Sequence, residues 1–333
     1  MPNSGEILSI VLVTGEFFLS ILVNGFIAMV NCTDWVRNKK LLTNDIILVS
    51  LAISRIGLVC IIIWKSYLVI NDLYAFILDG IKIIDIFLTM AHSSSIWFDS
   101  VLSIFYFLKI ANFSNPFFLW MKWRIDRMIY MLLAGPLIIY LFICFLASKK
   151  MYFYSENLFR EKKENVSQEF QMSAPLFIMF QILFSFLNLI PFTLTVVSFS
   201  LLILSLWRHT CQMQLNATGS RDPKIEAHVR AIKAVSSFII LFLLYYIGFC
   251  FNYWSYIVAK SKVFFVLGMA IVLLYPLGHS LILILWNSKL KKVALRMWWK
   301  MRCYQRGSNL KVFLVPVRII WHFLRGKKSA WSP

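Results

Sequence analysis

Asp85, Leu88, Thr89, His92 and Ser93 stand at i, i+3, i+4, i+7 and i+8, the spacing that gathers side chains on one face of an α-helix. A carboxylate, a hydroxyl and an imidazole along one such face can hold a small molecule by hydrogen bonds and charge. Asp85 and His92 read as lining of a cavity, whereas Thr89 and Ser93 serve equally well as ordinary interhelical hydrogen-bonding residues. Downstream, Tyr245, Tyr246, Phe249, Tyr253 and Trp254 supply rings that suit either the apolar walls of a small-molecule site or an interfacial belt. Arg55 lies inside an apolar run. Its reading is a clamp between helices with Asn24 as polar neighbour, since an ionised side chain at bilayer depth persists only when it faces inward and finds a partner.

Catalytic patterns are absent. His92, His209, His228, His279 and His322 form no H-E-x-x-H, and the chain has no G-x-S-x-G, P-loop or G-x-G-x-x-G. The six cysteines, Cys32, Cys60, Cys144, Cys211, Cys250 and Cys303, are scattered singly, which gives neither a zinc site nor a disulfide framework. No cofactor is expected. A transporter would also place Arg55, Asp85 and Asp99 within the membrane, but the internal repeat that would mark one is not visible.

These residues need helices that cross a bilayer. Hydrophobic side chains make up 60% of the 333 residues and charged ones only 15%, against roughly 45–50% and 25% in soluble domains. The apolar residues form seven blocks, at about 7–30, 46–68, 81–108, 128–147, 175–207, 231–257 and 263–286, each near the ~20 residues that span a hydrocarbon core. The net charge of +19 is spread unevenly. Arg37, Lys39 and Lys40, then Lys109, Lys122, Arg124 and Arg127, then Arg208, Arg221, Lys224, Arg230 and Lys233, and the cations beyond Asn287 all fall on one side. Cationic loops stay in the cytoplasm, so the N-terminus is expected outside.

The fold expected is an all-α membrane protein, a seven-transmembrane helix bundle over residues 1–288. A cytoplasmic amphipathic helix and basic tail follow over 289–333. Residues 289–306 alternate cations with Trp, Leu and Met, as a helix lying on anionic inner-leaflet lipid would; nucleic acid is the weaker partner because no binding module accompanies them. Of four sequons, at Asn31, Asn112, Asn165 and Asn216, only Asn165 falls in an outer loop, roughly 148–174, and it alone is expected to carry sugar. Pro136, Pro191 and Pro276 lie deep in spans and make hinges available.

The inner third span reads Leu102-Ser-Ile-Phe-Tyr-Phe-Leu-Lys-Ile-Ala-Asn-Phe-Ser114, and this run resembles the L-S-x-F-Y-x-L-K-I-A-x-F-S motif of the bitter (type 2) taste receptors. Leu51-Ala-Ile-Ser-Arg55, Ser205-Leu-x-x-His209 with Met213, His228 with Ala231 and Lys233, and His279-Ser-Leu-Ile-Leu-Ile-Leu-Trp-Asn-Ser-Lys-Leu-Lys291 follow the same pattern. The D-R-Y and N-P-x-x-Y signatures of rhodopsin-like receptors are missing. The resemblance implies a G-protein-coupled receptor for bitter small molecules that signals through a gustducin-type G protein at the plasma membrane. It places the ligand among Asp85, Leu88, Thr89, His92, Ser93, Tyr245, Phe249, Met269 and Val272, and coupling at Tyr106, Lys109 and His209. Asn24, Arg55 and Pro276 are left structural roles. His92 and Leu88 stand where the family often has Asn and Trp, so the pocket chemistry of other members does not transfer. A pheromone-type receptor is the alternative, and the 102–114 motif argues against it. Beyond 306 the chain runs on past the usual family end, with Pro316 and Arg318 making it a poor eighth span.

Overall fold

A computed structural model describes residues 4–39, 42–71, 78–111, 113–161, 166–215, 223–254 and 261–305. All regular structure among them is helical: α1 (Ser4–Asn38), α2 (Thr43–Ile70), α3 (Leu78–Ile110), α4 (Pro116–Trp123), α5 (Ile125–Glu161), α6 (Val166–Leu215), α7 (Pro223–Trp254), α8 (Lys262–Trp286) and α9 (Ser288–Gln305). Seven of these are long, and they are the seven expected spans. Five of the seven are apolar enough over their described residues to cross a membrane on composition alone. The other two are α3, which buries Asp85, His92, Asp99 and several serines, and α7, whose described apolar part runs from Ser236 to Gly248.

The packing order follows from which faces are apolar. Helix α1 packs on α2 and α8, α2 on α3, α3 on α6, α6 on α7 and α7 on α8, closing a ring. Helix α5 lies outside that ring against α3. Its far face shows why lipid is its solvent: Met131, Ile138, Ile139, Phe142 and Phe145 are all exposed, a continuous greasy surface that water would not tolerate.

Two boundaries differ from expectation. The outer loop at about 148–174 is instead largely helical, because α5 continues to Glu161 and α6 begins at Val166. Lys, Glu, Gln and Met are strong helix formers and extend a helix into water as readily as they would make a loop. The 50 residues of α6 span about 75 Å, more than twice the hydrocarbon thickness. Helix α4 is an addition of 8 residues. Asn115 caps it by accepting from Phe117 N at 2.9 Å, with Pro116 opening the first turn, but its length is below what hydrophobic periodicity detects.

Proline disrupts α5 in a way that α3 repairs. Pro136 has no N–H, so the carbonyl of Leu132 loses its intrahelical donor. Trp97 Nε1 of α3 donates to that oxygen at 2.6 Å. Three residues on, Ser100 Oγ of α3 donates to the Pro191 carbonyl of α6 at 2.7 Å and lies 2.7 Å from Thr195 Oγ1. Near Pro276 of α8 the neighbouring helix comes very close, for a Cβ on Gly248 of α7 would meet Ile271 Cγ2 at 2.6 Å.

Replacing Trp97 by Phe should therefore destabilise the protein by about 1–2 kcal/mol, the cost of an orphaned buried carbonyl. In a Pro136→Ala background, where an amide N–H at 136 again faces the Leu132 carbonyl, the same replacement should cost less; thermal unfolding of the four variants measures the difference.

Candidate functional site

Arg55 is fully buried in α2, and its head is surrounded on several sides by polar groups. Nη1 donates to Ser280 Oγ at 2.5 Å and Nη2 to Asp99 Oδ1 at 2.6 Å, while Nη2 also touches Nδ1 of His279. His279 Nδ1 lies 2.9 Å from the same Asp99 oxygen, and Tyr275 Oη donates to Asp99 Oδ2 at 2.8 Å. Ser280 passes the link on by donating to Asn24 Oδ1 at 2.7 Å, and Asn24 Nδ2 donates to the Ser20 carbonyl at 2.9 Å. Asn24 thus reaches Arg55 through Ser280. The knot ties α1, α2, α3 and α8 together, and it makes Asp99, taken alone an unexplained intramembrane acid, the counterion of Arg55.

Farther along α3, away from the end that carries α4 and α9, the expected ligand residues lie on a shared face. Asp85 pairs with Lys65 of α2, whose ammonium also lies 5.3 Å from the centre of the Phe265 ring. Thr89 Oγ1 donates to the Asp85 carbonyl at 2.7 Å. Leu88 and Met269 join one apolar cluster with Val13, Phe17, Ile62 and Phe265. One turn on, the His92 ring lies 4.8 Å from that of Tyr245, and Tyr245 packs with Val272, Phe242 and Tyr275 in a second cluster. The two clusters meet along α3 and α8. Within them Ser93 Oγ and Tyr245 Oη are buried without a hydrogen-bond partner among the described residues, and so is Ser66 Oγ on α2. Buried hydroxyls are nearly always satisfied. Three that are not, in one half of a bundle, are groups that a bound molecule's polar atoms could meet. The Phe249 side chain lies outside the described residues.

At the opposite end Tyr106 is half-buried, and Lys109, exposed at the end of α3, holds its ammonium 4.9 Å from the Phe105 ring. The His209 side chain, Asn165 and the segment beyond 305 lie outside the described residues. Asn31 is buried and donates to the Ile27 carbonyl at 2.9 Å, so this sequon has no side chain to offer a glycosyl donor. Lys289, which the sequence reading counted only as a basic residue, is a second tie: Nζ lies 3.0 Å from Asn31 Oδ1, 2.9 Å from Asp34 Oδ2 and 3.2 Å from Asp45 Oδ1. It fastens α9 to the ends of α1 and α2. Asn287 makes the bend between α8 and α9 by accepting from the backbone N–H of Lys289 and Leu290 at 3.0 and 3.3 Å.

The taste receptor protein (TAS2R) family model matches residues 1–302. The chain belongs to this family. It is 43% identical over 305 residues to taste receptor type 2 member 7 of Macaca mulatta, covering 90% of this chain and 95% of that protein. It is 42% identical over 304 residues to taste receptor type 2 member 8 of Pongo pygmaeus, covering 89% and 97%. The receptor is thus a multi-pass membrane protein of a class that takes small-molecule ligands and couples to G proteins.

Lys65 is the residue near the candidate site that sequence reasoning missed. Replacing it by Met should take a buried counterion from the Asp85 carboxylate and cost up to about 3 kcal/mol. Adding Asp85→Asn should recover part of the loss in thermal unfolding of the purified receptor.

Proposed function

We propose that the receptor detects bitter small molecules and activates a gustducin-type G protein at the plasma membrane, with its N-terminus extracellular and the α4/α9 end in the cytoplasm. The ligand lies in the opposite half, against Asp85, Leu88, Thr89, His92, Ser93, Tyr245, Phe249, Met269 and Val272. What carries this reading is the α3 face itself, where Leu88 packs with Met269 and the His92 ring lies tilted against that of Tyr245, beside hydroxyls that have no hydrogen-bond partner among the described residues. Because Asp85 already has Lys65 as counterion, the site offers a guest a nearly neutral wall, which suits apolar molecules with a few hydrogen-bonding groups.

An agonist acts by binding the active arrangement better than the inactive one, and it shifts the population by that difference in affinity alone. The helix ends around Tyr106, Lys109 and His209 then admit the G protein. Asn24, Arg55 and Pro276 keep structural roles, and no cofactor takes part. Asn165 carries the sugar. Residues 1–288 form the receptor bundle, and 289–333 form the basic cytoplasmic portion, whose amphipathic α9 lies on inner-leaflet lipid. Nucleic acid is not a partner. A transporter is disfavoured because the three charged residues that motivate it are all paired: Arg55 with Asp99, and Asp85 with Lys65.

The test is nucleotide exchange on a purified gustducin-type G protein with the reconstituted receptor and a panel of bitter alkaloids and glycosides. Agonist-dependent exchange is expected, and exchange that no compound stimulates would contradict the reading. His92→Ala should shift the half-maximal agonist concentration by about ten-fold, the equivalent of roughly 1.4 kcal/mol of binding, with surface expression intact. An unchanged dose-response to every agonist would remove His92 from the site.

A further inference from the structure

Helix α4 is fixed on one side and bare on the other. Its fixed side consists of Phe118, buried against the rings of Phe107 and Phe113 at 5.4 and 5.3 Å between centroids, and Lys122, whose Nζ donates to the Ala111 carbonyl at 3.1 Å. Those contacts hold the helix against the end of α3. The bare side presents Phe117, Leu119, Trp120 and Trp123, the last 89% exposed. Two arginines flank these rings, Arg124 with its guanidinium 5.2 Å from the Trp120 ring and the exposed Arg127. The acid in this stretch, Asp126, is turned aside and accepts a hydrogen bond from Thr43 Oγ1 at 2.5 Å.

Each feature points to the same environment. Indole rings favour the boundary between hydrocarbon and headgroups, where a flat apolar body and a polar edge are both satisfied. Guanidinium groups take phosphate and carboxylate oxygens in pairs. An arginine stacked on one of those rings is already positioned to do so, and little side-chain entropy remains to be lost. The surface is cationic, with Lys122, Arg124 and Arg127 set against the single acid Asp126, and its apolar part is too large to be left in water.

We propose that α4 and the turn that follows it form a binding surface for anionic phospholipid, with Trp120 and Trp123 seated at the glycerol level and Arg124 and Arg127 on the headgroups. The surface is separate from α9, which packs on α8 and α1, and from the ligand half of the bundle. It requires no particular ligand or G protein, and it holds whichever face of the bilayer α4 occupies.

The full-chain receptor in nanodiscs of phosphatidylcholine, doped with brominated phosphatidylserine or brominated phosphatidylcholine, provides the test. Bromine quenches indole fluorescence on contact, and the difference between wild type and W120F/W123F isolates the signal of α4. Quenching should reach its half-maximum at a lower fraction of brominated phosphatidylserine than of brominated phosphatidylcholine. R124Q/R127Q should abolish that preference, by roughly five-fold per arginine removed. R124K/R127K should retain most of it and serves as the folded control. Equal curves for the two lipids in wild type, or no quenching by either, would overturn the proposal. So would unchanged quenching in R124Q/R127Q accompanied by lost G-protein exchange, which would assign the surface to the G protein instead.

Discussion

A guanidinium sealed inside a membrane protein cannot keep its charge without an anion beside it, and Arg55 is entirely sealed. Solvation lost on burial amounts to many kcal/mol and is recovered only when an opposite charge and good hydrogen bonds are both present. Asp99 supplies the charge; Ser280, His279 and Tyr275 add further contacts around the ion pair. Because these groups come from α2, α3 and α8, with Asn24 of α1 one bond away, the positions of four helices along the bundle axis are set together. Sliding any one of them by a turn, about 5.4 Å, would break these contacts.

The rest of the bundle is arranged around that level. Toward one end, the Lys65–Asp85 pair joins α2 and α3 again, as the antiparallel register of Arg55 and Asp99 requires. Toward the other, Lys289 closes α9 onto Asp34 and Asp45. Helix α3 is the common partner of α2, α5 and α6, and it reaches carbonyls on both α5 and α6 through Trp97 and Ser100.

Much of this was legible in the residues alone. Seven apolar blocks of bilayer length specify seven helices, and one buried arginine announces a clamp. The face through Asp85 and His92 was visible because helical periodicity is independent of context. The partners were less visible, since a pairing between α2 and α3 depends on helix order and depth. Even so, Lys65 and Asp85 lie about three and about four turns from Arg55 and Asp99 toward the same end, a correspondence that antiparallel neighbours make meaningful. Lys289 gave no sign, because a lysine in a basic segment resembles every other lysine there until its acidic partners are in place. The loop expected at 148–174 misled for a chemical reason: charged residues mark water, and water accepts a helix as well as a loop.

The claim that this knot holds the bundle in register is tested most directly by a double-mutant cycle between Arg55 and Asp99, with R55M, D99L and the pair compared by thermal unfolding of the purified receptor. Each single replacement strands a buried partner and should cost about 3–5 kcal/mol, whereas the double replacement should cost less than either, a coupling of at least ~3 kcal/mol. Losses that simply add, to within about 0.5 kcal/mol, would show that the two charges do not depend on each other and would contradict the account.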